Sequence, residues 1–207
     1  SLRIVIGIAD VVPKLIAHRL IEPALSLPER VQLECVEDRP DRLLSGLALH
    51  ELDLVLSDAP ISPHVKVRVF NHLLGECGVS LFASEALPAN HRVPLPQGVN
   101  GAPFLLPTSN TALRSSLNLW FERHGIVPDV RGEFQDSALA KTFGQAGVGL
   151  FFGPSAIDID ITQSYAVRKI GEANGIVERF YAISAERKLR HHAVVAIVEA
   201  ARSRLFH

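Results

Sequence analysis

Apolar positions along this chain come in short blocks that switch between a two-residue and a roughly 3.6-residue period, and the switching predicts alternating strands and helices. Leu2–Ile8 is rich in β-branched residues and reads as a central strand. Asp10 follows as a helix N-cap, with Pro13 tolerated in the first turn of a helix that runs to about Leu25. Val31–Val36 is the second strand, Arg39-Pro40 opens a helix through Leu49, and Asp53–Ser57 is a third strand of nearly continuous apolar character, as in a parallel sheet. This is β-α-β-α-β with short connections.

The stretch Val65–Ser84 behaves differently. It alternates on both sides of Gly75-Glu76-Cys77-Gly78, the pattern of a strand that leaves one sheet and enters another. Afterwards the plan repeats. Pro103–Leu106 is a strand, Thr108-Ser109-Asn110 a capping cluster, Ala112–His124 a helix ended by Gly125, and Val127–Phe134 a strand. Asp136 caps a helix to Gln145, Gly147 closes it in the left-handed conformation, and Val148–Phe152 is a buried strand. A loop-rich passage leads to a strand at Phe180–Ala185 and a final amphipathic helix at Ala193–Leu205. Two similar α/β halves are therefore expected, residues 1–75 with 177–207 and residues 76–176, joined by two crossover strands. In such folds ligands bind at the carboxyl ends of the strands.

Composition narrows the function. The 207 residues can bury a real core, and 47% of them are hydrophobic. No apolar run reaches the length of a membrane span, and the opening SLRIVIGIAD lacks the basic and long apolar regions of a signal peptide. Two cysteines are too few for a disulfide framework, so a cytoplasmic location is expected. The net charge of −1 gives no basic face for nucleic acid; the one basic run, Arg187, Lys188, Arg190, His191 and His192, reads as the opening of a solvated helix. No GxSxG, Walker A, GxGxxG or HExxH pattern is present, and Gly147-Val148-Gly149 leads into a strand rather than a phosphate-binding helix. Enzymatic chemistry is not expected.

Several segments taken together resemble the effector-binding domain of LysR-type transcription regulators. They are Arg3–Ala9, LLSGL (43–47) with ELDLV (51–55), FERHGIVP (121–128) and AGVGLFFGP (146–154). His50 stands where that family usually has glycine. LSDAPIS (56–62), GECGVS (75–80) and GEFQDSALAKTFG (132–144) are most similar to the branch that activates sodium/proton antiporter expression. The resemblance implies two Rossmann-like subdomains of the type 2 periplasmic-binding-protein kind. It also implies a cytoplasmic regulator assembled as a homodimer or homotetramer, and an amino-terminal winged helix-turn-helix, absent here, that makes the DNA contacts. A periplasmic solute-binding protein of the same fold is the rival on architecture alone.

The resemblance places a small effector in the cleft between subdomains. It is lined by Ala9, Asp10 and Val11, by Ser57 and Asp58, by Thr108 and Ser109, and by Gln135 and Asp136. Many family members bind small organic anions at such places. Here Asp10, Asp58, Glu133 and Asp136 offer carboxylates instead, which suit a hard cation. Sodium or lithium held by Asp10, Asp58 and Asp136 is the expected effector, with no other cofactor. The alternative for Asp10 and Asp136 is a helix N-cap, and for Asp58 the start of a turn. A response to pH would fall to histidine, and His50, His64 and His72 are the candidates. Arg114 is either an anion ligand or part of a solvated helix face. Cys77 is a candidate redox thiol without a CxxC partner, and Cys35 is expected on a buried strand. Trp120 and Phe121 are expected first in the core and second at a subunit interface.

Overall fold

The computed structural model describes residues 1–61, 68–91 and 97–206, so His64 and the start of the long extended stretch, 65–67, lie outside the described residues. The chain divides into two compact units, Ser1–Glu76 with Arg179–His207, and Cys77–Glu178.

The first unit carries a five-stranded sheet in the order β2-β1-β3-β10-β4, from β1 (Leu2–Ala9), β2 (Val31–Asp38), β3 (Leu54–Ser57), β4 (Phe70–Cys77) and β10 (Glu178–Ser184). Strands β1, β2 and β3 are parallel, and β10 returns antiparallel to β3. The core is mostly aliphatic: Ile4, Ile6, Ile16, Leu20, Leu43, Leu47 and Leu54 are fully buried, together with Phe180, which stacks on Phe206. Helix α1 (Lys14–Ile21) is capped at Pro13, without a side-chain bond, so Asp10 is not its N-cap. It gives way to a 3₁₀ turn at Glu22–Ser26 because Pro23 cannot donate the next helical bond. Helix α2 (Pro40–Ala48) starts as expected at Arg39-Pro40. Beyond it His50 holds φ = 58°, the left-handed conformation for which glycine is the usual choice. Cys35 is exposed, against expectation, because β2 is an edge strand with only β1 beside it. The chain ends its described part in α6 (His192–Ala200) and a π-helical turn at Ala201–Leu205.

The second unit repeats the layout with different pairing. Strands β6 (Pro103–Pro107) and β7 (Asp129–Phe134) are parallel, and β5 (Val79–Ala83) lies antiparallel between β8 (Phe151–Pro154) and β9 (Arg168–Glu172). A parallel bridge between Phe104 and Leu150 joins these two groups, with Leu105 N–H donating to the Leu150 carbonyl at 2.8 Å. The spatial order β7-β6-β8-β5-β9 therefore mirrors β2-β1-β3-β10-β4. The stretch through Gly75–Gly78 does split between two sheets, β4 in one and β5 in the other. Two elements depart from the sequence reading: the passage expected to be loop-rich contains α5 (Asp158–Tyr165) and β9. Helices α3 (Ala112–Arg123) and α4 (Ser137–Gln145) cover the parallel strands. The core is aromatic: Phe104 packs edge-on to Phe121 and stacks on Phe152, and Trp120 meets both Phe121 and Phe152. Trp120 and Phe121 are 2% and 4% exposed, so neither is available to a subunit interface.

Candidate functional site

In the first unit the parallel register decides what meets at the strand ends. Ile8 pairs with Leu56, so Asp10 and Asp58, each two residues further on, leave the sheet side by side. Ala9 is fully buried and closes β1; Val12 N–H donates back to its carbonyl at 2.9 Å, turning Asp10 and Val11 outward. Asp10 N–H donates to the Asp38 carbonyl at 3.0 Å, extending the β1–β2 ladder one residue past the strand. Ser57 is buried and its Oγ accepts from Ala59 N–H at 3.3 Å, which shapes the turn that carries Asp58. Burial holds the Asp58 carboxyl above its ordinary value, and the charge of Asp10 adds to the rise. The two carboxylates are thus placed together and repel one another.

In the second unit Pro107 pairs with Phe134, so Thr108 and Ser109 leave beside Gln135 and Asp136. Thr108 N–H donates to the Phe134 carbonyl at 3.1 Å, the counterpart of the Asp10–Asp38 bond. Here the polar groups have local duties. Asp136 Oδ1 accepts from Ala138 N–H at 2.8 Å and is the N-cap of α4, as its capping reading predicts. The cap of α3 is Thr111, not the cluster before it: its Oγ1 accepts from Arg114 N–H at 3.2 Å and donates to the Thr108 carbonyl at 3.0 Å. Thr108 Oγ1 donates to Asn110 Oδ1 at 2.7 Å.

Arg114 does not lie on a solvated helix face. Its side chain is 13% exposed, Nη1 donates to the Pro107 carbonyl at 2.7 Å and to Glu133 Oε2 at 2.6 Å, and Nε donates to Asn118 Oδ1 at 3.0 Å. It ties together the end of β6, the end of β7 and the first turns of α3. Nothing in the sequence links positions 114 and 133, because only the β6–β7 pairing brings them together.

The remaining candidates resolve locally. Ser184 Oγ donates to the Glu186 carbonyl at 2.6 Å, so its contact with His72 Nε2 at 2.8 Å needs the proton on the imidazole. Burial, and then the nearby Arg202 charge, lower the His72 pKa, which disfavours a charged imidazole near neutrality. Burial pushes the Cys77 thiol up to about 11, the opposite of an activated redox thiol. Among the described residues no three His, Cys, Asp or Glu side chains form a group that could hold a metal ion; Asp10 and Asp58 share one unit and Asp136 belongs to the other. Among the described residues, no helix is long and apolar enough to cross a membrane.

Comparison with known proteins agrees with this geometry. The chain is 32% identical over 201 residues to the transcriptional activator protein NhaR of Escherichia coli K12, a match that covers 97% of this chain and 66% of that protein. The same identity holds for NhaR of Shigella flexneri, so the chain spans about two thirds of the length of the curated relatives it matches. Among solved structures, the regulatory domain of HypT from Salmonella typhimurium superposes with a TM-score of 0.69 at 18% identity, covering 97% of this chain and 95% of that one. Vibrio fischeri DarR in complex with DNA superposes with a TM-score of 0.71 at 14% identity, covering 97% of this chain and 68% of that one. The family model of the LysR substrate binding domain matches residues 1–206. With two α/β units of one plan and their polar residues gathered at the strand ends, the chain belongs to the LysR substrate-binding domain family.

Proposed function

We propose that this chain is the effector-sensing part of a NhaR-like transcriptional activator, and that its effector is sodium or lithium. The observation that carries the reading is the Asp10–Asp58 pair, set side by side by the β1–β3 register on a chain 32% identical to NhaR over almost its whole length. A hard monovalent cation relieves the repulsion of two carboxylates and takes further oxygen ligands from carbonyls and hydroxyls. Asp136, which caps α4 in the other unit, is not needed for this reading. A response to pH would enter through Asp58 itself, since protonating it removes the charge that attracts the ion. Effector binding then favours one arrangement of a cytoplasmic homodimer or homotetramer whose DNA contacts are made by a separate winged helix-turn-helix. The LysR family is one of transcription regulators rather than enzymes.

The test is a thermal melt in potassium chloride against sodium or lithium chloride at constant ionic strength and pH. A dissociation constant of about 10 mM adds about 1.4 kcal/mol at about 100 mM ion, a rise of about 3–6 °C for a chain of this size. The rise should disappear in Asp58→Asn and in Asp10→Asn. Equal melts in all three salts would overturn cation sensing by this chain.

A further inference from the structure

The Arg114–Glu133 pair has a chemical role that its geometry makes plain. An arginine beside the carboxyl ends of two parallel strands is the group that would recognise an organic carboxylate, because its guanidinium fork matches the two carboxylate oxygens. In this chain that guanidinium is already occupied by a carboxylate. Glu133 Oε2 lies 2.6 Å from Nη1, while the Pro107 carbonyl and Asn118 Oδ1 hold two further N–H groups and fix the fork in place. Arg114 is largely buried and held by Pro107 and Asn118, whereas Glu133 is half exposed, 13% against 49%. The fixed partner is the cation and the adjustable partner is the acid.

We propose that Glu133 is an internal counter-ion that determines specificity: it stands where an effector's carboxylate would sit on Arg114 and excludes organic carboxylates from the strand ends of this unit. The inference rests on the reading that the strand ends receive the effector, but not on which cation is sensed. Removing the Glu133 side chain beyond Cβ should convert the position into a carboxylate site. Arg114 would keep its bonds to Pro107 and Asn118 and present an unneutralised guanidinium.

The experiment compares sodium benzoate and sodium acetate with sodium chloride at constant sodium concentration, ionic strength and pH. Holding sodium fixed separates this result from the cation test. The protein itself should melt at the same temperature in all three salts. Glu133→Ser should gain a carboxylate-dependent rise, about 3–6 °C at about 50 mM benzoate for a dissociation constant of about 5 mM. Glu133→Gln, which keeps the bulk and an acceptor oxygen on Arg114, should gain less. The double variant Arg114→Met, Glu133→Ser should lose the gain, which separates binding at Arg114 from binding elsewhere. The proposal is overturned if the unaltered protein already responds to benzoate as strongly as Glu133→Ser, if Glu133→Ser gains no response, or if the double variant keeps it.

Discussion

The two units share one layout, yet their corresponding strand ends are chemically opposed. Asp10 and Thr108 occupy the same place: Asp10 follows β1 and Thr108 follows β6, and each donates its N–H to the last carbonyl of the parallel neighbouring strand, at 3.0 and 3.1 Å. In the first unit the result is Asp10 beside Asp58, whose carboxyl is held above its ordinary value by burial and then by the charge of Asp10. In the second, a hydroxyl occupies the equivalent position, the acid Asp136 serves as a helix cap, and the acid Glu133 neutralises Arg114. The cores differ too, mostly aliphatic around Phe180 in the first unit and built on Phe104, Trp120, Phe121 and Phe152 in the second. Backbone pairing is what the repeat preserves; side-chain chemistry at the same coordinates is free to diverge because it does not enter the ladder.

The largest expected effect tests whether the two cores are energetically separate. Phe104→Ala removes the ring at the centre of the aromatic cluster and should cost about 3–5 kcal/mol. The chain has a single tryptophan, Trp120, and it lies in the second unit, so its fluorescence reports that unit alone. The Trp120 transition should fall ahead of the far-UV circular dichroism transition; coincident curves would mean that the units unfold together.

Gly144→Ala comes next. Alanine in a helix interior normally gains about 0.5–1 kcal/mol over glycine. A Cβ at this position, however, would lie 2.2 Å from Phe151 Cδ1, so the clash should win and destabilise by about 1–3 kcal/mol. Stabilisation in urea unfolding would show that the second core is looser than its ring contacts imply.

Asp136→Ala should cost about 1 kcal/mol through the lost cap on α4. If the strand ends of the second unit serve structure first, the sodium-dependent rise should survive this substitution while it vanishes in Asp58→Asn. Loss of the ion response in Asp136→Ala would erase that distinction between the units.

The smallest effect is a slope against pH. A carboxyl whose folded pKa is raised above its ordinary 3.8 binds its proton more tightly in the folded state. Its favourable contribution is therefore fully present below that value and is lost as pH rises through the folded pKa. Asp58→Asn should raise the melting temperature at pH 7 relative to the unaltered protein and lose that advantage near pH 3. An advantage that did not depend on pH would mean that Asp58 is not the strained member of the pair.

Much of this protein is legible in its sequence, and the legible part has one physical character. Hydrophobic period, proline and glycine placement and capping residues act within a few positions of themselves. That is why the repeated strand–helix–strand plan, the start of α2 at Pro40, the cap at Asp136 and the left-handed turn at Gly147 could be read directly. Helix α5 and strand β9 escaped because they bury so little: Ile161 is the only buried residue of α5, and β9 is an edge strand, so neither carries a strong apolar period. The tertiary structure alone decided which side chains meet. Cys35 is exposed because β2 has no outer neighbour, Asp10 loses its capping role because α1 begins four residues later, and Asp58 meets Asp10 because β1 and β3 run in register across 48 positions. Arg114 finds Glu133 only because β6 and β7 pair. Periodicity is a property of neighbours in the chain, whereas the charge balance of a binding site belongs to neighbours in space, and strand pairing is what converts one into the other.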